Sequence, residues 1–91
     1  MTKVLYKVHG IVQGVGYRAL VKRMADACNL SGYVRNLDDG SVEILAIGNG
    51  ADLSHFEKAI RVNRNNGPAV FHIERTIADA RHNAQNRFVI V

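Results

Sequence analysis

The strongest constraint on this chain is a passage from an alternating segment, through clustered glycines, into a helical period, all between Lys3 and Leu30. In residues 3–9, Val4, Tyr6 and Val8 fall on one side and Lys3, Leu5 and Lys7 on the other, which marks a strand covered on at least one face. Gly10, Gly14 and Gly16 punctuate the next stretch of chain. From about Arg18 to Leu30 the apolar positions Leu20, Val21, Met24, Ala25 and Cys28 recur at helical spacing, opposite Lys22, Arg23 and Asp26. Such a strand, loop and helix gather three anion-binding features. Glycines let the chain turn with φ > 0 and bring its N–H groups close to a ligand. The helix start adds unpaired donors and the positive end of the macrodipole. An Arg in the first turn, here Arg18, can fork onto two oxygens of a phosphate or carboxylate. The segment from Val8 to Arg18 therefore predicts an oxyanion pocket. It matches neither the dinucleotide G-x-G-x-x-G nor the Walker loop, and a structural βα turn with a solvated Arg would fit the same residues.

Beyond the helix, Ser31-Gly32 reads as its end and Tyr33-Val34-Arg35 as a short strand. Asn36 to Gly40 ends in Asp-Gly, a strong hairpin signal, and Ser41 to Ile47 forms the returning strand. Gly48-Asn49-Gly50 breaks it. Asp52 is the expected N-cap of a second helix buried through Leu53, Phe56 and Ile60. A polar loop from Asn63 to Pro68 leads into a strand from Val70 to Ile77, with Phe71, Ile73 and Ile77 on one face. Residues 79–86 read as a polar, mobile turn, and Phe88 to Val91 as a terminal strand.

The order β-α-β-β-α-β plus a terminal strand predicts an α+β, ferredoxin-like sandwich: an antiparallel sheet with two helices on one face, forming a single domain over residues 1–91. A right-handed crossover makes the first two strands parallel with the third between them. The glycine loop and the tip Arg35-Asn36 then lie at one edge of the sheet, about two strand spacings or ~10 Å apart. Asn36 is expected to face the oxyanion pocket.

Composition narrows the function classes. A hydrophobic fraction of 47% suits a globular chain, and no apolar run approaches the ~20 residues that span a bilayer. Val4-Leu5-Tyr6 is broken by Lys7, so nothing resembles a signal peptide and a cytoplasmic location is expected. Cys28 is the single cysteine, which rules out an intrachain disulfide; its place on an apolar helix face points to packing. His9, His55, His72 and His82 show no ligand spacing, so no metal is expected. The net charge of +4 is spread along the chain, which favours a small anionic ligand over a nucleic acid.

Two segments resemble one family. Gly10-x-Val12-Gln13-Gly14-Val15-x-Tyr17-Arg18, and then Gly32-Tyr33-Val34-Arg35-Asn36-x-x-x-Gly40-x-Val42 with Gly48 downstream, are similar to the two signatures of the acylphosphatases. The resemblance spans the whole chain, including the Asn66-Gly67-Pro68-Ala69 lead-in to the fourth strand. It implies cofactor-free and metal-free hydrolysis of the carboxyl-phosphate bond of a small-molecule acyl phosphate. Composition adds the expectation of no nucleic-acid or membrane partner, and a monomer is expected although no residue pattern decides the oligomeric state. The resemblance also implies site roles: backbone amides at Val12, Gln13, Gly14 and Val15 cradle the phosphoryl group, Arg18 binds it, and Asn36 orients the attacking water.

The chemistry is consistent with those roles. An acyl phosphate has a good carboxylate leaving group and needs position and charge stabilisation more than a covalent nucleophile. Arg18 and converging amides would stabilise the equatorial oxygens. Asn36 would accept from the water while donating to an adjacent oxygen. His9 sits at a strand end, where packing or solvation is expected, so a phosphate oxygen of the substrate itself is expected to take the proton.

Three positions depart from the commonest family pattern: Tyr17 for Phe, Ile11 at a site often basic, and Leu37 for Thr. They bear on rate and affinity. The alternatives are a non-catalytic anion-binding or regulatory domain, an RNA-binding sandwich, and a relative of the acylphosphatase-like domain of hydrogenase-maturation proteins that handles carbamoyl phosphate. The RNA reading needs stacking aromatics on the central strands, and Ser41 to Ile47 has none.

Overall fold

The structure, a computed structural model, describes residues 1–78 and 87–91; the turn expected over 79–86 lies outside the described residues. The elements in chain order are β1 (Thr2–Ile11), α1 (Tyr17–Ala27), β2 (Ser31–Asn36), β3 (Val42–Gly48), α2 (Gly50–Ala59), β4 (Ala69–Ile77) and β5 (Phe88–Ile90).

The sheet order is β4-β1-β3-β2-β5. β3 pairs antiparallel with both β1 and β2, so those two strands run parallel on either side of it, as the crossover argument requires. β4 closes the β1 side antiparallel. β5 pairs with β2 in the parallel sense, so the sheet is mixed and the expectation of an antiparallel sheet is corrected at that edge. Three residues are all that β5 contributes to the ladder, a pairing too short for any sequence period to orient.

Alternation in β1 becomes a burial pattern. Val4, Tyr6 and Val8 are buried, and they pack with Leu20, Val21 and Ala25 of α1 and Leu53 and Phe56 of α2. β3 behaves differently. It is buried on both faces, because Leu45 lies between Leu5 and Tyr33 in the register while Ile44 faces the helices. Tyr6, fully buried, donates its hydroxyl to Glu57 Oε1 at 2.7 Å, and Arg75 Nε donates to the same oxygen at 2.7 Å, which fastens α2 to β1 and β4. Burial works against charge on Glu57, but the two donors outweigh it and hold the carboxyl below its usual value.

Several boundaries differ from expectation. α1 ends at Ala27, not near Leu30, because Asn29 adopts a left-handed φ of 58° and Leu30 N–H turns back to Ala25 O at 2.9 Å. Ending the helix early lets β2 begin at Ser31 and extend to Asn36. Asn49, not Asp52, caps α2; its side chain accepts from Asp52 N–H at 2.8 Å. Phe71 and Ile77 lie on the exposed edge strand, 71% and 59% accessible, so the apolar face assigned to β4 is only partly covered.

Gly32 marks a close approach between backbones. It has φ +130°, and a Cβ there would stand 1.9 Å from Leu45 O on the neighbouring strand. Gly50, by contrast, opens α2 with free space around its Cβ position. In urea titrations, Gly32→Ala should lose about 3 kcal/mol or more through steric conflict and backbone strain. Gly50→Ala should be neutral or gain up to about 1 kcal/mol.

Candidate active site

The ladder places Val8, Val42 and Asn36 in one row across β1, β3 and β2. The chain leaving β1 and the end of β2 thus sit at the same edge. Residues 12–16 fill the gap between β1 and α1. Gly14 and Gly16 have φ of 75° and 79°, conformations that an L side chain adopts only at a cost. Gly16 is the N-cap of α1 and so caps it with no side chain, and the first turn carries no acidic residue. The first intrahelical bond runs from Leu20 N–H to Gly16 O at 3.2 Å. The N–H groups of Tyr17, Arg18 and Ala19 therefore have no carbonyl within the helix to meet. Among the described residues, no carbonyl accepts from the amides of Gln13 to Gly16 either.

Five of the residues that carry these amides, Gly14, Gly16, Tyr17, Arg18 and Ala19, line a pocket of about 210 Å³ together with Val12 and Ile90. Arg18 is half-buried on its wall. Its one hydrogen bond among the described residues is a long one, from Nη1 to Val91 O at 3.4 Å. Arg35 and Arg75 differ from it, held by Glu43 at 2.6 Å and Glu57 at 2.7 Å. Val91 N–H in turn donates to Val34 O at 2.9 Å, which brings the Arg18 contact beside the last residues of β2.

Asn36 is exposed at the end of β2 and shares the helix-side face of the sheet with Val34. Among the described residues its carboxamide has no hydrogen-bond partner. It does not line the pocket itself. The link between the two regions is Gln13, whose Nε2 donates to Leu37 O and to Ser41 O, each at 2.8 Å. Of the expected site, Val12, Gly14 and Arg18 line the pocket, Gln13 and Val15 do not, with Val15 packed against the core, and Asn36 is tied to the loop through the turn that comes after it. Sequence reasoning missed the Gln13 side chain and the Ile90 wall. No residue pattern signals the former, because its partners are main-chain carbonyls.

The turn from Leu37 to Ser41 is itself cross-braced. Leu37 N–H donates to Ser41 O at 2.9 Å and Gly40 N–H to Leu37 O at 3.2 Å. Buried Ser41 donates its hydroxyl and its amide to Asp39 Oδ1, and Lys7 Nζ meets Asp39 Oδ2 at 2.9 Å. The Ser41 hydroxyl and amide, then Lys7, hold the Asp39 carboxyl well below the usual carboxylate range. Leu37 contributes through its carbonyl, so a Thr side chain is not needed for that contact.

Buried Tyr17 satisfies its hydroxyl by donating to Ile60 O at 2.9 Å, at the C-cap of α2. Burial pushes its phenol pKa up, and the nearby Arg61 offsets this only in part. His9 points away from the pocket. It pairs with Glu74 at 2.6 Å and stacks on His72 with ring centroids 5.8 Å apart. Among the described residues, no three His, Cys, Asp or Glu side chains form a cluster that could hold a metal ion.

The comparisons bear on what such a site does. The family model Acylphosphatase matches residues 4–90. The curated acylphosphatase of Listeria monocytogenes serotype 4b (strain F2365) is 44% identical over 69 residues, which span 76% of this chain and 74% of that one. The crystal structure of acylphosphatase from Bacillus subtilis superposes with a TM-score of 0.87 at 39% identity, covering 100% of this chain and 99% of that one. HypF of T. kodakarensis gives a TM-score of 0.85 at 31% identity, covering 100% of this chain but only 12% of that one.

Two outcomes are expected. Tyr17→Phe should lower stability by about 1 kcal/mol, the value of the lost bond to Ile60 O, on chemical denaturation. Because the Asp39 pKa is depressed on folding, its contribution is complete above the ordinary carboxylate value and fades as acid drives the pH through the lower, folded value. The Ser41 amide resonance should stay fixed from neutral pH to about 4 and move only in stronger acid.

Proposed function

The chain belongs to the acylphosphatase family, and from that premise we propose that it hydrolyses the carboxyl-phosphate bond of small acyl phosphates. Water attacks phosphorus, the bond from phosphorus to the acyl oxygen breaks, and a carboxylate and inorganic phosphate leave. The observation that carries this reading is the pocket itself: uncapped amides and a guanidinium that has, among the described residues, no carboxylate partner, at the same sheet edge as a strand end whose carboxamide has no partner among those residues.

In this reading the N–H groups of Val12, Gln13, Gly14 and Val15 cradle the phosphoryl oxygens with Arg18. Their donors are already oriented, so charge that spreads over those oxygens in the transition state meets fixed dipoles with little reorganisation. Asn36 accepts a hydrogen bond from the water and donates to an adjacent oxygen, which aligns the attack. His9 faces away from the pocket and is engaged by Glu74, so the proton passes to a phosphate oxygen of the substrate. Arg18 and the amides meet the substrate's charge in this scheme, and none of its steps requires a metal.

The test is hydrolysis of benzoyl phosphate with EDTA present, alongside inhibition by inorganic phosphate. Wild type should turn over with EDTA and be inhibited competitively by phosphate. Arg18→Ala should lower kcat/KM by roughly 10²–10³ and weaken phosphate inhibition, and Asn36→Ala should lower kcat by about 10² with little change in phosphate inhibition. A wild type that binds phosphate without turnover would instead be an anion-binding domain, and an Arg18→Ala variant of full activity would remove Arg18 from the mechanism.

A further inference from the structure

We infer that the Gln13 side chain is a positioning residue. Its carboxamide locks the turn after Asn36 to the phosphate cradle and thereby sets where Asn36 holds the water. This inference rests on the hydrolytic reading above for the role of Asn36, but the contact it names stands apart from that reading.

Asn36 has no side-chain partner of its own among the described residues, so its placement is inherited from the main chain on either side. On one side the ladder holds it opposite Val42. On the other side the chain enters the turn of residues 37–41, and there Gln13 takes hold. Its Nε2 donates to Leu37 O and Ser41 O, both at 2.8 Å, so one amide group spans the two ends of the turn. The same two carbonyls accept from Gly40 N–H and Leu37 N–H, which makes them the joints of the turn. Both partners are acceptors only, so the donating end of the carboxamide must face them, and the amide orientation is set by chemistry. Two donors and a stem of this length are needed together. Asn falls short by one methylene, and Glu presents oxygens to oxygens.

The backbone N–H of residue 13 survives any of these substitutions. The side chain and the cradle amide can therefore be separated by experiment. A side chain that acts only through Asn36 changes the rate of attack and leaves phosphate affinity in place.

Wild type, Gln13→Met, Asn36→Ala and the double variant are compared on benzoyl phosphate. Met keeps the length and apolar stem but removes both donors. Gln13→Met should lower kcat roughly tenfold, since small misplacements of a reacting group are costly, with KM and the phosphate inhibition constant within about twofold. In the Asn36→Ala background it should cost less than about twofold more, because residues acting as a unit are not additive. Gln13→Asn, which withdraws the donors by ~1.5 Å, should show the same split and serves if Gln13→Met is poorly folded. Amide exchange at Leu37 and Gly40 should accelerate in both Gln13 variants while exchange in β1 is unchanged.

A raised KM with unchanged kcat would place the side chain in the cradle and overturn the proposal. So would a full tenfold cost in the Asn36→Ala background, or unaltered exchange at Leu37 and Gly40. A wild type inert toward benzoyl phosphate would overturn the hydrolytic reading, and the catalytic consequence with it, while the exchange rates would still decide whether the clamp exists.

Discussion

The ladder that holds β3 between β1 and β2 is the constraint on which the site depends. Val42 pairs with Val8 on one side and with Asn36 on the other. Each strand end is placed by main-chain hydrogen bonds anchored in a buried strand, so the exit of β1 and the end of β2 keep a fixed relation to each other. A slip of one residue in either ladder would move Asn36 to the opposite face of the sheet. Burial of Val34 and Val42 on the helix side penalises that slip, and the hydrophobic pattern thus guards the geometry of an exposed polar residue.

Charge is organised around the same edge. Five carboxylates away from the pocket are engaged by cations: Asp39 with Lys7, Glu43 with Arg35, Glu57 with Arg75, Glu74 with His9 and Asp26 with Lys22. As exposed or half-exposed pairs they add little to stability, each on the order of 0–1 kcal/mol. Each of these pairs neutralises its own two charges and no more. The first turn of α1 has no acid and no side-chain cap, so nothing on the helix itself offsets its positive end beside Arg18. A capping Ser or Asp would stabilise α1 by about 1 kcal/mol and occupy the donors that an oxyanion would use.

Local signals were legible where they did not compete. The period of β1, the apolar stripe of α1 and the Asp39-Gly40 turn all read correctly. Where two residues offered the same chemistry, the sequence could not choose. Asn49 and Asp52 are both good caps, and only the path of the chain out of β3 made Asn49 the cap. Phe71 reads as a core residue by type, yet β4 is an edge strand and the ladder to β1 skips Phe71 at the register shift between the His9–His72 and Gly10–Val70 pairs. For the site, the glycine cluster and Arg18 stood out in the sequence and line one pocket in the structure, and the two motifs together pointed to a family that the comparisons then showed.

The amino-acid sequence by itself determined the kind of elements, their order and a glycine-rich loop that leads into a helix with an Arg in its first turn, because periodicity, glycine placement and a first-turn Arg act within a few residues of each other. The tertiary structure decided the parallel pairing of β5, the partner of the Tyr17 hydroxyl and the attachment of the turn after Asn36 to the glycine loop through Gln13. Those three depend on main-chain groups brought together from distant parts of the chain. Main-chain carbonyls are the same at every residue, so no choice of side chain announces which of them a folded neighbour will use.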